Sequence, residues 1–313
     1  MHKVALHGSL VANVILWGFT FPAIARILEH VDAIQLTTIW VTANAAVFAA
    51  LMYSRPAKRP RVTRSDLPRL LLMGVVAVPM TQIPVVYGQR FLSPPLTSVI
   101  VSTSPVWATL LAVALLSERI RPRQVAGFAI ALCGATIVIL AGSGETELTV
   151  DNPWGAALTL VTPIGWALYT VLSKTMTDMD RYSPVDGVGL VLVAGALTMI
   201  PLMPHAAKAL DDLPASAWGW MLFLVFGGTV GPYLIWFRAL RRLDASQTAA
   251  YMFGVPFAAL GASWLVLDIV PDAIALVGGG LIIGGVVVAQ LAADNSNPPE
   301  RSAANDARVG NRR

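Results

Sequence analysis

Long apolar stretches alternate with short polar connections along almost the whole chain. Ten such stretches can be counted, at roughly 5–25, 33–53, 68–88, 95–115, 123–141, 154–174, 185–204, 216–237, 246–266 and 273–293. Each has about the length a helix needs to cross a hydrocarbon core ~30 Å thick, which takes ~20 residues. Glycine and proline recur inside many of them, as membrane helices tolerate where neighbouring groups repair the backbone bonds. Period-two alternation is absent, so a transmembrane barrel is not expected. The pattern predicts an all-α integral membrane protein with ten transmembrane helices. Residues 294–313 are polar and aperiodic and read as a disordered tail. Lys3, the first apolar run and Ala23-Ile24-Ala25 also fit a cleavable signal peptide. The length of that run, its polar face and its match to a later segment favour a permanent first helix.

Composition narrows the classes further. Hydrophobic residues make up 56% of the chain and charged residues 13%, about half the ~25% of soluble domains. So few charges exclude an ordinary soluble enzyme, a nucleic-acid-binding protein and a disordered chain. The net charge of +4 sits in short clusters between apolar runs. With the amino terminus in the cytoplasm, 19 of the 22 Lys and Arg fall on the inside, leaving Arg26, Arg90 and Lys208 outside. That bias supports the orientation, an even number of spans and cytoplasmic termini in a multi-pass protein of the cytoplasmic membrane. Segment 55–69 is basic because it is an inside connection, not because it binds nucleic acid. The lone Cys133 permits no intrachain disulfide.

The chain also matches itself. At an offset of 151, Arg90 aligns with Arg241, Thr97 with Thr248, Pro105 with Pro256, Gly127 with Gly278 and Gly134 with Gly285. At an offset of 149, Trp17 aligns with Trp166. Residues 1–141 and 150–293 therefore read as two copies of a five-helix unit. Five is odd, so the second copy enters from the opposite side. Inverted repeats of this kind are a recurring design of secondary transporters, because two similar halves make inward-open and outward-open states nearly equivalent.

The run Arg90-Phe91-Leu92-Ser93 leading to Ser104-Pro105, then Ser117-Glu118-Arg119 and Gly127…Gly134, resembles the EamA domain of the drug/metabolite transporter superfamily. Ala239-Leu240-Arg241-Arg242-Leu243-Asp244-Ala245-Ser246, Pro256, Asp268 and Gly278…Gly285 echo it, and Trp17-Gly18 is similar to the family's first-helix pair. The resemblance covers nearly everything but the tail. It implies a ten-helix carrier of small metabolites, often an exporter, with a central cavity between the halves. Two departures stand out. Asp268 answers Glu118 with a shift of one residue, and the second helix, around Trp40 to Asn44, lacks the arginine many members show there.

Almost no ionisable residue lies deep in a span. Arg26, Glu29, Arg90, Glu118, Arg238 and Asp268 all fall near span ends, so a proton relay through an embedded carboxylate is unsupported. Polar and aromatic residues do share helix faces. Asn13, Trp17 and Thr20 are spaced i, i+4, i+7, as are Thr162, Trp166 and Tyr169, their partners at the 149 offset. Thr229, Tyr233 and Trp236 share a face of the eighth helix, and the 151 offset pairs Tyr233 with Gln82. Gln247 and Tyr251 lie one turn apart, as do Ser98 and Ser102. A mostly aromatic pocket with a few hydrogen-bonding groups is the usual form of a small-molecule site. Asn13, Trp17, Gln82, Ser102, Thr162, Trp166, Tyr169, Tyr233, Gln247 and Tyr251 are therefore the candidate substrate-binding residues. Pro105 and Pro256 interrupt matching helices and are candidate hinges.

Plainer readings stand beside these. Small polar residues glue membrane helices together, Trp154, Trp218 and Trp220 at span starts are interfacial anchors, and each proline permits a static kink. Glu118 reads as a helix-end contact. Gly278-Gly279-Gly280 and Gly284-Gly285 suit close helix packing, since no strand precedes and no Lys-Ser/Thr follows. His2, His7, His30 and His205 are scattered, and no metal-ligand spacing, Gly-x-Ser-x-Gly element or Cys/His pair occurs. The expected protein is a non-enzymatic secondary transporter without metal or cofactor, in contact with lipid and a small molecule, whose homo-oligomerisation stays open. It would move a neutral, zwitterionic or amphipathic metabolite, amino-acid-like or drug-like, by alternating access, as an exporter. The alternatives are a flippase for a lipid-linked intermediate or a non-transporting scaffold and, further off, a membrane enzyme.

Overall fold

A computed structural model describes residues 2–55, 62–118, 120–141, 153–178, 182–211, 213–268 and 273–294. The expected tail beyond Asp294, and the basic residues Lys58, Arg59, Arg61, Arg119 and Arg181, lie outside the described residues. Described residues form helices and turns and no strand. The helical rods are α1 (His2–Leu28), α2 (Ala33–Tyr53), α3 (Leu67–Gly88), α4 (Pro94–Leu116) and α5 (Pro122–Ala141). They continue as α6 (Pro153–Thr159 and Val161–Asp178), α7 (Pro184–Leu197 and Ile200–Ala207, bent by 53°), α8 (Ala215–Leu240), α9 (Ala245–Leu267) and α10 (Ala273–Asp294). Among the described residues seven helices are long and apolar enough to cross a membrane, or eight with α7 taken as one span. The exterior is apolar, with Leu110, Leu265 and Val277 exposed, while Asn13, Thr37, Asn44 and Thr170 are buried. That distribution suits lipid outside and helix-to-helix polar contacts inside.

The helix boundaries follow from local chemistry. Asp32 caps α2 by accepting from the amides of Ile34 and Gln35, and Gln35 returns a bond to the Asp32 amide. Ser93 and Ser183 cap α4 and α7, each followed by proline, which is suited to a first turn. Helices α4 and α9 end alike, in left-handed residues 151 positions apart: Ser117 at φ 55° and Asp268 at φ 60°. Both helices thus stop at the same backbone geometry, one with a serine and the other with an aspartate, which tolerates positive φ better than most residues.

Prolines break the ladders inside α3, α4, α8 and α9. A π turn spans Val78–Gln82 in α3 and another spans Leu224–Val230 in α8. Each is followed by a proline in a Thr-x-x-Pro run, Thr81 to Pro84 and Thr229 to Pro232, 148 residues apart. The Thr81 and Thr229 hydroxyls each donate to the carbonyl five residues back. In α4 a turn at Ser102–Thr103 separates Pro94–Val101 from Ser104–Leu116. Pro105 lacks the amide that would serve the Val101 carbonyl, and the Ser104 hydroxyl donates to it instead. In α9 a 3₁₀ turn, Tyr251–Gly254, precedes Pro256.

Glycine sets the closest helix approaches. Helices α5 and α10 cross where Gly127 meets Gly285 and Ala289, and where Gly134 meets Gly278 and Ile282. A Cβ at Gly127 would lie 2.6 Å from the Ala289 nitrogen, and one at Gly134 would lie 2.6 Å from the Gly278 oxygen. Gly18 lies against Ala258 of α9, and Gly74 of α3 against Ala194 and Gly195 of α7. Without a hydrophobic force between helices in lipid, such close backbone contact supplies much of the packing attraction.

Candidate functional site

Where the broken helices converge, they line a partly open cavity of about 80 Å³. Trp17, Thr20, Phe21 and Ile24 of α1 form one wall, and Thr81, Gln82 and Val85 of α3 form another. Thr162 and Trp166 of α6 and Gly228 and Tyr233 of α8 complete the polar part, with Trp40, Val101, Met252 and Val255 around them. No lining residue is ionised at neutral pH.

The base of the cavity is an aromatic cluster. Trp17 and Trp166 meet edge-to-face at 5.1 Å between centroids and 86°. Trp236 lies 5.1 Å from Trp17 and 5.4 Å from Trp166. Tyr169 stacks on Trp166 at 5.3 Å, and Tyr233 meets Trp166 at 5.4 Å. Tilted and edge-to-face contacts align positive ring edges with negative faces, so the rings hold one another in place and leave faces for a ligand. A cation or ammonium over such faces gains ~0.5–2 kcal/mol.

The hydrogen bonds explain why these side chains stand where they do. Pro232 removes one amide just after the π turn of α8, and within that turn the Gly228 carbonyl accepts from Trp17 Nε1 at 3.0 Å. Trp40 Nε1 donates to the Leu224 carbonyl at 3.0 Å and to Thr229 Oγ1 at 3.1 Å, and Asn44 Nδ2 reaches Thr229 Oγ1 at 3.2 Å. Thr162 Oγ1 donates to the Thr81 carbonyl at 3.2 Å, and Gln82 Nε2 to the Tyr233 hydroxyl at 3.4 Å. Trp166 Nε1, Trp236 Nε1 and both amide atoms of Asn13 are buried without a hydrogen-bond partner among the described residues.

Of the sequence candidates, Trp17, Gln82, Thr162, Trp166 and Tyr233 line this cavity, and Tyr169 backs it. The other four sit elsewhere. Asn13 is buried one turn from Trp17 but is absent from the lining. The Ser102 hydroxyl bonds the Val99 carbonyl within its own helix. The Gln247 side chain is used in the first turn of α9, where its Oε1 accepts from the Asp244 amide at 3.3 Å. Tyr251 shares a hydrogen bond with His7. Residues not singled out by sequence include Trp40, Thr81, Val85, Val101, Met252 and Val255. For Thr81 a signal existed, the recurring Thr-x-x-Pro run. For the apolar ones none did, because any apolar residue in a span looks alike.

Contacts between helix ends frame the site. The carboxylate of Glu118, just past α4, accepts from the amides of Ala245 and Ser246 at 2.9 and 3.3 Å and from the Ser246 hydroxyl at 2.7 Å. It thereby holds the first turn of α9, as the sequence reading of a helix-end contact expects, and a carboxylate suits the positive end of a helix. At the other end of α9, Arg26 donates to the Val266 carbonyl at 2.8 Å and pairs with Glu29 at 3.2 Å. A wider, polar depression of about 260 Å³ at the α1–α2 turn is lined by Leu28, His30, Val31, Asp32, Gln35 and Arg90. It lies at helix ends rather than among the spans. Among the described residues no three His, Cys, Asp or Glu side chains gather as a metal site would require.

A multi-pass helical membrane protein with an uncharged aromatic cavity among broken helices belongs to the class of small-molecule transporters. The EamA-like transporter family model matches residues 7–140 and again 153–290. The chain belongs to this family, whose members are transporters and not enzymes. An Archaeoglobus fulgidus protein named "uncharacterized transporter" is 25% identical over 280 residues, covering 89% of this chain and 96% of its own length. A Streptantibioticus cattleyicolor protein named "probable terminal-alkyne amino-acid exporter" is 28% identical over 280 residues, covering 90% of this chain and 91% of its own. A Salmonella typhimurium protein named "probable amino-acid metabolite efflux pump" is 24% identical over 290 residues, with 88% and 91% covered. A solved crystal structure shares the fold at a TM-score of 0.72 and 19% identity, covering 94% of this chain and 99% of that one.

Proposed function

We propose that the protein exports a small neutral, zwitterionic or amphipathic metabolite, amino-acid-like or drug-like, across the cytoplasmic membrane by alternating access. One observation carries the substrate class: the central cavity offers ring faces, hydroxyls and an amide but no ionised side chain. A strongly anionic substrate would have to leave water without a counter-charge, at a cost of several kcal/mol. A zwitterion brings both charges with it, its ammonium meeting ring faces and its carboxylate meeting N–H and O–H donors. The names of the Streptantibioticus and Salmonella relatives support an amino-acid-like substrate.

The mechanism uses ten spans arranged as two inverted five-helix repeats, with both termini in the cytoplasm. The double match of the family model and the paired left-handed helix ends at Ser117 and Asp268 support the repeat. In that orientation the cavity lies on the outer side of the aromatic layer, since Thr20, Phe21 and Ile24 follow Trp17 towards the outer end of α1. The layer, the Glu118 contact with α9 and the His7–Tyr251 pair close the cytoplasmic side. Trp17, Gln82, Thr162, Trp166 and Tyr233 contact the substrate, and the breaks before Pro105 and Pro256 let α4 and α9 bend as the halves rock.

The test is metabolite profiling of culture medium from cells producing the protein or Trp166→Ala at equal membrane abundance. One metabolite class should accumulate outside only with the intact protein. Equal accumulation with both would move the substrate away from Trp166, and no accumulation with either would favour import or lipid translocation.

A further inference from the structure

Two inter-helix bonds at the π turns have counterparts in the other half of the chain that are not made. Trp17 and Asn13 of α1 correspond to Trp166 and Thr162 of α6, 149 residues on. Gly228 and Thr229 of α8 correspond to Met80 and Thr81 of α3, 148 residues back. In the α1–α8 pair, Trp17 donates to the Gly228 carbonyl and Asn13 donates to nothing. In the α6–α3 pair, Thr162 donates to the Thr81 carbonyl and Trp166 Nε1 donates to nothing. Each pair makes the bond that the other lacks.

The missing acceptors are close at hand. Pro84 and Pro232 each withdraw one amide just after a π turn. A Cβ on Gly165, the neighbour of Trp166, would lie 2.7 Å from the Met80 oxygen. Helix α1 likewise packs on the π turn that holds Thr229. Asn13 is 0% exposed, and a buried amide with no partner inside a span is expensive as a permanent feature. It is less so if the amide is engaged in a second state of nearly equal energy.

We propose that these four donors form a two-position switch. Trp17 and Thr162 are engaged in the state described. In the exchanged state Trp166 holds the Met80 carbonyl, Asn13 holds the Thr229 carbonyl, and Trp17 and Thr162 are released. The inference rests on the inverted-repeat carrier reading and deepens it. Trp17 and Trp166 both line the cavity, so each state releases one of the two indole N–H groups, and in the state described the released group, Trp166 Nε1, is buried.

The test needs no substrate. Full-length protein in lipid nanodiscs, with Cys133→Ala, carries spin labels at Arg121→Cys and Arg242→Cys, beside the helix ends that Glu118 joins. Pulsed electron paramagnetic resonance then reads the distances between them and the share of each. Trp17→Phe and Thr162→Val should each raise the share of a second distance relative to the first about fivefold. That is the ratio a net bond of ~1 kcal/mol gives at 1.4 kcal/mol per tenfold. Asn13→Leu and Trp166→Phe should lower it by a similar factor. Thr162→Val and Asn13→Leu keep nearly the same volume in an apolar setting, so the sign pattern is readable even if a tryptophan variant misfolds. The switch is overturned if these variants move the ratio in one common direction or leave it unchanged. It is also overturned if the Trp17→Phe/Thr162→Val double variant shows only the first distance. If the sign pattern fails while wild-type cells still export a metabolite, the switch falls and the carrier stands. If no second distance and no export are found, both fall.

Discussion

Gly127→Ala is the sharpest probe of the packing. The added Cβ would lie 2.6 Å from the Ala289 nitrogen, 2.7 Å from the Gly285 oxygen and 2.9 Å from the Ala289 Cα. All three are backbone atoms of α10 and cannot rotate away. Restoring contact distances of ~3.5–4.0 Å means moving α5 and α10 apart by about 1 Å along their crossing. Overpacking of this kind costs roughly 1–3 kcal/mol, against a helix-propensity gain of about 1 kcal/mol for replacing glycine by alanine. The control lies on the same helix pair: a Cβ at Gly284 meets nothing within 4 Å, so Gly284→Ala keeps only the gain. Thermal scans of detergent-solubilised protein at one heating rate should place Gly127→Ala below wild type and Gly284→Ala at or above it. The separation between the two variants should be several degrees, at roughly 2–4 °C per kcal/mol. Equal midpoints would refute the claim that backbone approach at Gly127 holds these helices together.

Two further outcomes follow from the helix ends. Glu118→Ala removes all three bonds to the first turn of α9 and should cost about 1–2 kcal/mol at this half-buried site. Glu118→Gln, which keeps one acceptor oxygen, should lose less in the same scans, and wild-type behaviour of the alanine variant would dismiss the contact. Asp32 tests the pH response. Burial pushes its carboxyl up, but the amides of Gln35 and Ile34 and the ring of His205 outweigh that and hold it below its ordinary 3.8. A lowered carboxylate stabilises the fold fully above its unfolded value and loses that contribution as pH falls through its folded value. As pH falls through the ordinary 3.8 and below it, wild type should therefore lose more stability than Asp32→Ala, which starts about 1 kcal/mol lower from the lost cap. Parallel declines would refute the assignment.

Much of the architecture is legible in the sequence because it depends on local quantities. Apolar length marks the helices, and Gly278-Gly279-Gly280 and Gly284-Gly285 mark close packing, though not the helix they meet. Trp17, Trp166 and Tyr233 could be picked out because aromatics deep in a span serve few purposes besides a core or a cavity. Polar side chains are harder, since an amide on a helix face looks the same whether it caps a turn or lines a cavity. Only the fold sends Gln82 to Tyr233, whereas Gln247 closes a local capping box on Asp244. Only the fold turns the two Thr-x-x-Pro runs into π turns whose freed carbonyls need donors from other helices. Trp17 meets that need from 211 residues away, a distance at which no pattern along the chain can name a hydrogen-bond partner.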